Sequence, residues 1–231
     1  MAKEPVPFLF VNPKSYLWGK ASLALAKEVD RISRDYNMTI YFTCPYADIR
    51  MIAENTTDII VTAQNMDPLK PGRGMGAVLP ESLVEAGAKA VVLNHAENPK
   101  ELSELHQSIV RAKELGLQTI VCADSMAEAK AAAVMGGQVI LAEPTELIGT
   151  GQTADTSYIE SCVNGVREGS PDALVMIASG ITTPEDCYVV VYNGADGTGS
   201  TSGIVKAEDP AKRVEEMVQA IQKAVVDREK K

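Results

Sequence analysis

Three side chains in this sequence have the chemistry of proton transfer: the carboxylate of Glu143, the imidazole of His95 and the ammonium of Lys14. Glu143 lies in L-A-E-P-T-E-L-I-G-T-G, where an apolar run meets a carboxylate and Pro144 at once stops regular structure. An apolar tip, Leu147–Ile148, and the flexible Gly149–Gly151 follow. That is the composition of a catalytic carboxylate at a strand end with a lid behind it, whose glycines can turn N–H groups toward an anion. His95 stands with Glu97 in L-N-H-A-E-N, and Lys14 with Asn12 in V-N-P-K-S-Y. A carboxylate can take a proton from carbon beside a carbonyl, and a lysine cation and an imidazole can stabilise the enediolate that results. Singly, each residue has a plainer reading: a loop Glu, a hydrogen-bonded structural His, a surface Lys, and a Glu97 that only caps the helix at Pro99. The second histidine, His106, falls mid-helix and reads as solvent-exposed.

What brings such residues together is the alternation of short β-branched runs with helical stretches. Strands are expected at Phe8–Asn12, Thr39–Cys44, Asp58–Ala63, Ala90–Asn94, Gln118–Cys122, Gln138–Ala142 and Asp172–Ala178. Helices are expected at Trp18–Tyr36, Tyr46–Ala53, Pro80–Ala86, Pro99–Leu115, Met126–Met135 behind a Ser125 cap, Asp155–Glu168, Thr183–Val191 and Asp209–Arg228. The eighth strand is the weak one. Val189–Tyr192 has the β-branched look of a strand, but a right-handed βα repeat needs a helix after strand seven. The eighth strand is therefore placed at Ala195–Ser200. The sum is one α/β domain over residues 1–231, a parallel eight-stranded (β/α)8 barrel with outer helices. A doubly wound open sheet is the alternative, disfavoured because no G-x-G-x-x-G follows the first strand.

In such a barrel the site lies at the C-terminal strand ends. Asn12 and Lys14, His95 and Glu97, Glu143, Ser179–Gly180, and Thr201–Gly203 all fall there. The small residues at Gly149–Gly151, Ser179–Gly180 and Thr201–Gly203 can offer backbone N–H groups to a phosphate.

The chain has 231 residues, 45% hydrophobic and 23% charged, with a formal net charge of −9. The acidic balance argues against generic nucleic-acid binding, and no apolar run is long enough to span a bilayer. With no signal-peptide core in M-A-K-E-P-V-P, the cytoplasm is the default location. Cys44, Cys122, Cys162 and Cys187 form no C-x-x-C pair, so buried reduced thiols are expected rather than a metal site or disulfides. The long Gly-rich loop Gln64–Leu79, with Met66 and Met75, reads as an interface or functional element.

These motifs resemble triosephosphate isomerase, its short archaeal-type branch in particular, over essentially the whole chain. V-N-P-K-S-Y resembles the N-x-K motif, L-N-H-A-E-N the family's L-N-H-S-E-N, and E-P-T-E-L-I-G-T-G its E-P-P-E-L-I-G-T-G lid. A-Q-N-M-D-P-L-K-P-G, V-L-P-E, T-I-V-C-A-D and S-G-I-V-K-A-E-D-P have counterparts as well. The resemblance implies interconversion of glyceraldehyde 3-phosphate and dihydroxyacetone phosphate, with no cofactor and no metal. It implies Glu143 as the base between C1 and C2, His95 as a neutral imidazole polarising the carbonyl, and Lys14 stabilising negative charge with Asn12 positioning. Glu97 would orient Lys14 or His95. Ile148, Gly149, Ser179, Gly180, Thr201 and Ser202 would hold the substrate and its phosphate. It also implies a homo-oligomer, dimer or tetramer, through the loop Gln64–Leu79. The departures are Pro13 between Asn12 and Lys14, Ala96 where the family has Ser, Thr145 in the lid, and a polar eighth strand. They leave room for a related sugar phosphate such as a tetrulose phosphate, or for a non-catalytic phosphate-metabolite binder.

Overall fold

The computed structural model describes residues 7–143 and 156–230. Eight parallel strands close on themselves in sequence order: β1 (Phe8–Val11), β2 (Thr39–Cys44), β3 (Ile60–Ala63), β4 (Ala90–Leu93), β5 (Gln118–Ala123), β6 (Val139–Ala142), β7 (Leu174–Ile177) and β8 (Gly197–Ser200). β1 pairs with β8, so the sheet has no free edge. The open-sheet alternative is thereby excluded. Around the barrel run α1 (Gly19–Asp35), α2 (Ile49–Ala53), α3 (Pro80–Glu85), α4 (Leu102–Glu114), α5 (Met126–Val134), α6 (Thr156–Gly169), α7 (Pro184–Tyr192), α8 (Ser202–Val205) and α9 (Pro210–Arg228).

Strand alternation divides the core in two. One set of side chains fills the barrel: Phe8, Phe10, Tyr41, Val92, Ile120, Leu141 and Met176 among them. The other, including Leu9, Val11, Ile40, Phe42, Ile140 and Val175, faces the helices. α1 presents Ser22, Leu25, Ala26, Val29, Ile32 and Ser33 to that outer layer.

Strand eight lies where the βα rule puts it, and Val189–Tyr192 is helical. Thr183 starts that helix with a reciprocal capping box to Asp186, and Pro184 holds a first-turn position. Val190 and Val191 are then buried on its inner face. The lack of apolar residues in G-T-G-S follows from packing. A Cβ on Gly197 would strike the Phe8 ring, and one on Gly199 would come within 2.6 Å of Phe10 O and 2.7 Å of Phe10 Cβ. The phenylalanines of β1 fill the space that β8 leaves. On the outer face, Thr198 Oγ1 donates to Ile177 O at 2.8 Å and Ser200 Oγ to Ile181 O at 2.6 Å.

Several element ends differ from expectation. β3 begins at Ile60 rather than Asp58, because the N–H groups of Thr57, Asp58 and Ile59 all go to Asp30 Oδ1 at 2.9, 2.7 and 3.1 Å. β4 stops at Leu93, since Asn94 turns into the left-handed region at φ 60°. α4 starts at Leu102, not Pro99, behind an extended Glu101. Residues 94–100 are tied up first, with Asn98 N–H donating to His95 O at 2.7 Å and Lys100 N–H to Asn94 Oδ1 at 2.9 Å. β7 begins at Leu174 and β8 at Gly197, each two residues after the expected start. The segment Tyr46–Ala53 opens as a 3-10 turn before α2, and the four-residue α8 is not legible in the sequence. Ser125 caps α5 by accepting from Glu128 N. His106 is exposed, and Cys44, Cys122, Cys162 and Cys187 are free and buried.

Candidate active site

The chain after β1 is bent to aim Lys14 inward. Lys14 itself has φ 48°, a left-handed conformation that costs a side-chain-bearing residue about 1–2 kcal/mol. Asn12 supports the bend: its Oδ1 accepts from Lys14 N–H at 3.1 Å and from Thr43 Oγ1 at 2.5 Å. Gln64 Nε2, from the end of β3, donates to Lys14 O at 2.9 Å. Neither Thr43 nor Gln64 stood out in the sequence as a support, because each acts on a backbone or amide group of another strand end. The Lys14 side chain is 19% exposed and its Nζ lies 2.7 Å from Glu97 Oε1. Glu97 is therefore an ion-pair partner of Lys14, and the residue preceding α4 is Glu101.

The turn after β4 orients His95. The backbone N–H of Glu97 donates to His95 Nδ1 at 3.1 Å, which leaves the ring proton on Nε2. Burial and the Lys14 cation both push the His95 pKa down, against a smaller upward pull from Glu97. The geometry and the charge distribution thus favour one neutral tautomer. Glu97 is itself held below the ordinary carboxylate range, chiefly by its bond from Lys14.

Glu143 follows β6, its N–H donating to Ala123 O at 2.8 Å. Burial raises its pKa; the Lys14 charge and a hydrogen bond from the Ser179 hydroxyl lower it, and the Glu97 charge raises it slightly. A carboxylate raised above its usual range by burial yet facing a cation is suited to take up and return a proton. Ser179, just past the end of β7, is fully buried. The sequence marked it for its backbone; its side chain meets the base.

Lys14, His95 and Glu143 line one cavity of about 180 Å³ together with Asn12 and Glu97. Gly180, Ile181, Thr182, Ser200, Thr201 and Ser202, from the ends of β7 and β8, line the same cavity. A larger cavity of about 430 Å³ lies on the far side of Glu143 against α4 and α5, and is lined by neither Lys14 nor His95. Ala96 belongs to that second cavity. Ile148, Gly149 and the rest of the expected lid, from Pro144 through Gly151, lie outside the described residues, as does Asp155. Among the described residues no group of three or more His, Cys, Asp or Glu could hold a metal ion, and no helix is long and apolar enough to cross a membrane.

Comparison with known proteins agrees with this geometry. The family model for triosephosphate isomerase matches residues 7–221. The triosephosphate isomerase of Sulfurisphaera tokodaii is 36% identical over 228 residues, covering 97% of this chain and 99% of its own. That of Sulfolobus acidocaldarius is 34% identical, covering 96% and 98%, and that of Methanocaldococcus jannaschii is 34% identical, covering 92% and 99%. With a closed eight-stranded barrel and a family match over nearly its whole length, the chain belongs to the triosephosphate isomerase family.

Proposed function

We propose that the chain interconverts D-glyceraldehyde 3-phosphate and dihydroxyacetone phosphate through an enediolate. The observation that carries this reading is the meeting of Glu143, His95 and Lys14 on one small cavity that Gly180, Thr201 and Ser202 also line. The phosphate lies against Gly180, Thr201 and Ser202. Glu143 takes the proton from one carbon and returns it to its neighbour. As the carbonyl oxygen gains charge, the Lys14 cation and the Nε2–H of His95 stabilise it; a neutral donor suits a group that gives a hydrogen bond without giving up its proton wholesale. Asn12 and Glu97 keep Lys14 in place. The polar strand eight gives no support to a longer sugar, because Phe8 and Phe10 fill the space beside its glycines and its Thr198 and Ser200 hydroxyls are already bonded to backbone carbonyls. A coupled assay on each triose phosphate tests the reading; absence of turnover, or faster turnover of a tetrulose phosphate, would overturn it.

The reading includes a homo-oligomer built through residues 64–79. Met75 at the tip of that segment is fully exposed, and Tyr16, Trp18 and Tyr46 are 55%, 69% and 41% exposed. Gln64, where the segment starts, shares a cavity of about 190 Å³ with Tyr46, Lys14 and His95. Light scattering on the purified chain should give a dimer or tetramer mass, and Met75→Asp should lower it. A monomeric wild-type chain would remove this part.

The Ser179 hydroxyl supplies a pH test. Its bond to Glu143 favours the ionised base. Ser179→Ala is expected to raise the Glu143 pKa, so the acid limb of the kcat/KM profile moves to higher pH while the alkaline limb stays. An unmoved acid limb would place Glu143 elsewhere in the mechanism.

A further inference from the structure

Arg213 stands in the first turn of α9, where the helix dipole disfavours a cation and no acidic residue shares the turn. Its side chain reaches back to the barrel. One guanidinium nitrogen, Nη1, donates to Thr182 O at 2.7 Å and to Gly203 O at 3.1 Å. The first carbonyl belongs to the loop after β7, the second to α8, and both segments line the cavity. They touch closely: a Cβ on Gly203 would lie 2.6 Å from Thr182 Cα and 2.7 Å from Thr182 O. Ser200 Oγ joins them from β8 by its 2.6 Å bond to Ile181 O. Asp186 Oδ2 accepts from Thr182 N–H at 2.9 Å and Thr183 N–H at 2.8 Å, fixing the outer end of the same loop. The Nε of Arg213 is buried with no hydrogen-bond partner, and the nearest recorded carboxylate, Glu216, is 3.7 Å from it. The cation is thus only partly neutralised, and it sits at the back of a wall whose front faces the substrate.

We propose that Arg213 is the positioning residue of the phosphate end: it clamps the β7 loop and α8 at a fixed separation and holds its cation behind the bound anion. The inference rests on the isomerase reading for which end of the cavity takes the phosphate. Both carbonyls are bonded from one terminal nitrogen of a planar, rigid guanidinium; the ammonium of lysine, on a shorter and more flexible stem, would hold the same two acceptors less firmly. A hydrogen bond from a charged donor is commonly worth about tenfold in an equilibrium.

The test compares wild type, Arg213→Lys and Arg213→Met, each first checked for an intact thermal transition. Calorimetric titration with inorganic phosphate gives the anion affinity directly. Kinetics with glyceraldehyde 3-phosphate and with unphosphorylated glyceraldehyde, the latter followed by proton exchange in deuterated water, give a specificity ratio. The expected result is that Arg213→Met weakens phosphate binding about tenfold and lowers the ratio of kcat/KM values for the two substrates by a similar factor. Arg213→Lys should fall between the two. An unchanged phosphate affinity, or an equal loss on both aldehydes, would overturn the proposal, the second outcome marking a general loosening of the barrel. If the wild type turns over neither triose phosphate, the isomerase reading fails, and the phosphate titration still decides the role of Arg213.

Discussion

Glu143→Gln is expected to lower kcat by about 10²–10⁴, the usual contribution of a positioned general base. Gln keeps the length and shape of the side chain, and its amide oxygen can still accept from the Ser179 hydroxyl that now bonds the carboxylate. What it loses is basicity. The substitution leaves Gly180, Thr201 and Ser202 in place, so KM should change little, the pattern of an interaction used in the transition state alone. The measurement is a coupled assay in both directions beside a thermal melt. A variant as fast as wild type would remove Glu143 from the chemistry, whatever the fold.

The second large effect is expected from Lys14→Met. The substitution removes a cation from the place where an oxyanion develops, a loss of about 10²–10³ in kcat for one such group. The fold should survive, since the deserted Glu97 side chain is 66% exposed and water can take over its charge. There is also a pH signature with a definite sign. The Lys14 charge now lowers both the Glu143 and the His95 pKa. Without it both rise, so on acidification the base is protonated earlier and the imidazole becomes charged earlier. Both changes move the acid limb of the residual activity to higher pH. Glu97→Gln should act in the opposite direction, because the Glu97 charge raises the same two groups. Shifts of the same sign in the two variants would refute this electrostatic account. The pH profiles of kcat/KM for both, recorded at one ionic strength, are the check.

The barrel, and the convergence of Lys14, His95 and Glu143 on one cavity, were legible because the signals that carry them are local. Val139–Leu141 running into Glu143, or Ala90–Leu93 running into Asn94 and His95, is a strand ending in polar residues, and the ends of parallel barrel strands point to one face. Strand eight was placed by handedness rather than by its own residues. Its reason, the Phe8 and Phe10 rings opposite Gly197 and Gly199, sits about 190 residues away in sequence. Supports formed across strand ends were not legible for the same reason. The Lys14–Glu97 pair, the Thr43–Asn12 bond and the Arg213 clamp each join residues far apart in the chain. Ser179 was visible as a small residue in the right place, but only the fold shows that its hydroxyl points to the base. Element starts went wrong where side chains took the backbone N–H groups first, as Asp30 does before β3 and Asn94 before α4.

The pairing of β1 with β8 also sets a timetable for synthesis. Phe8 and Phe10 emerge long before their partner strand, since Phe8 pairs with Gly197 and Phe10 with Gly199. Until residue 200 is free of the ribosome, the first strand has an unsatisfied edge and two aromatic rings facing a gap. The incoming segment is too poor in apolar side chains to be drawn in by its own burial, so the rings of β1 must capture it. Joining the two ends of so long a loop is entropically costly and slow. In refolding followed by pulsed hydrogen exchange, the amides shared by β1 and β8 are expected to gain protection after those of β4, β5 and β6, whose partners are neighbours in sequence.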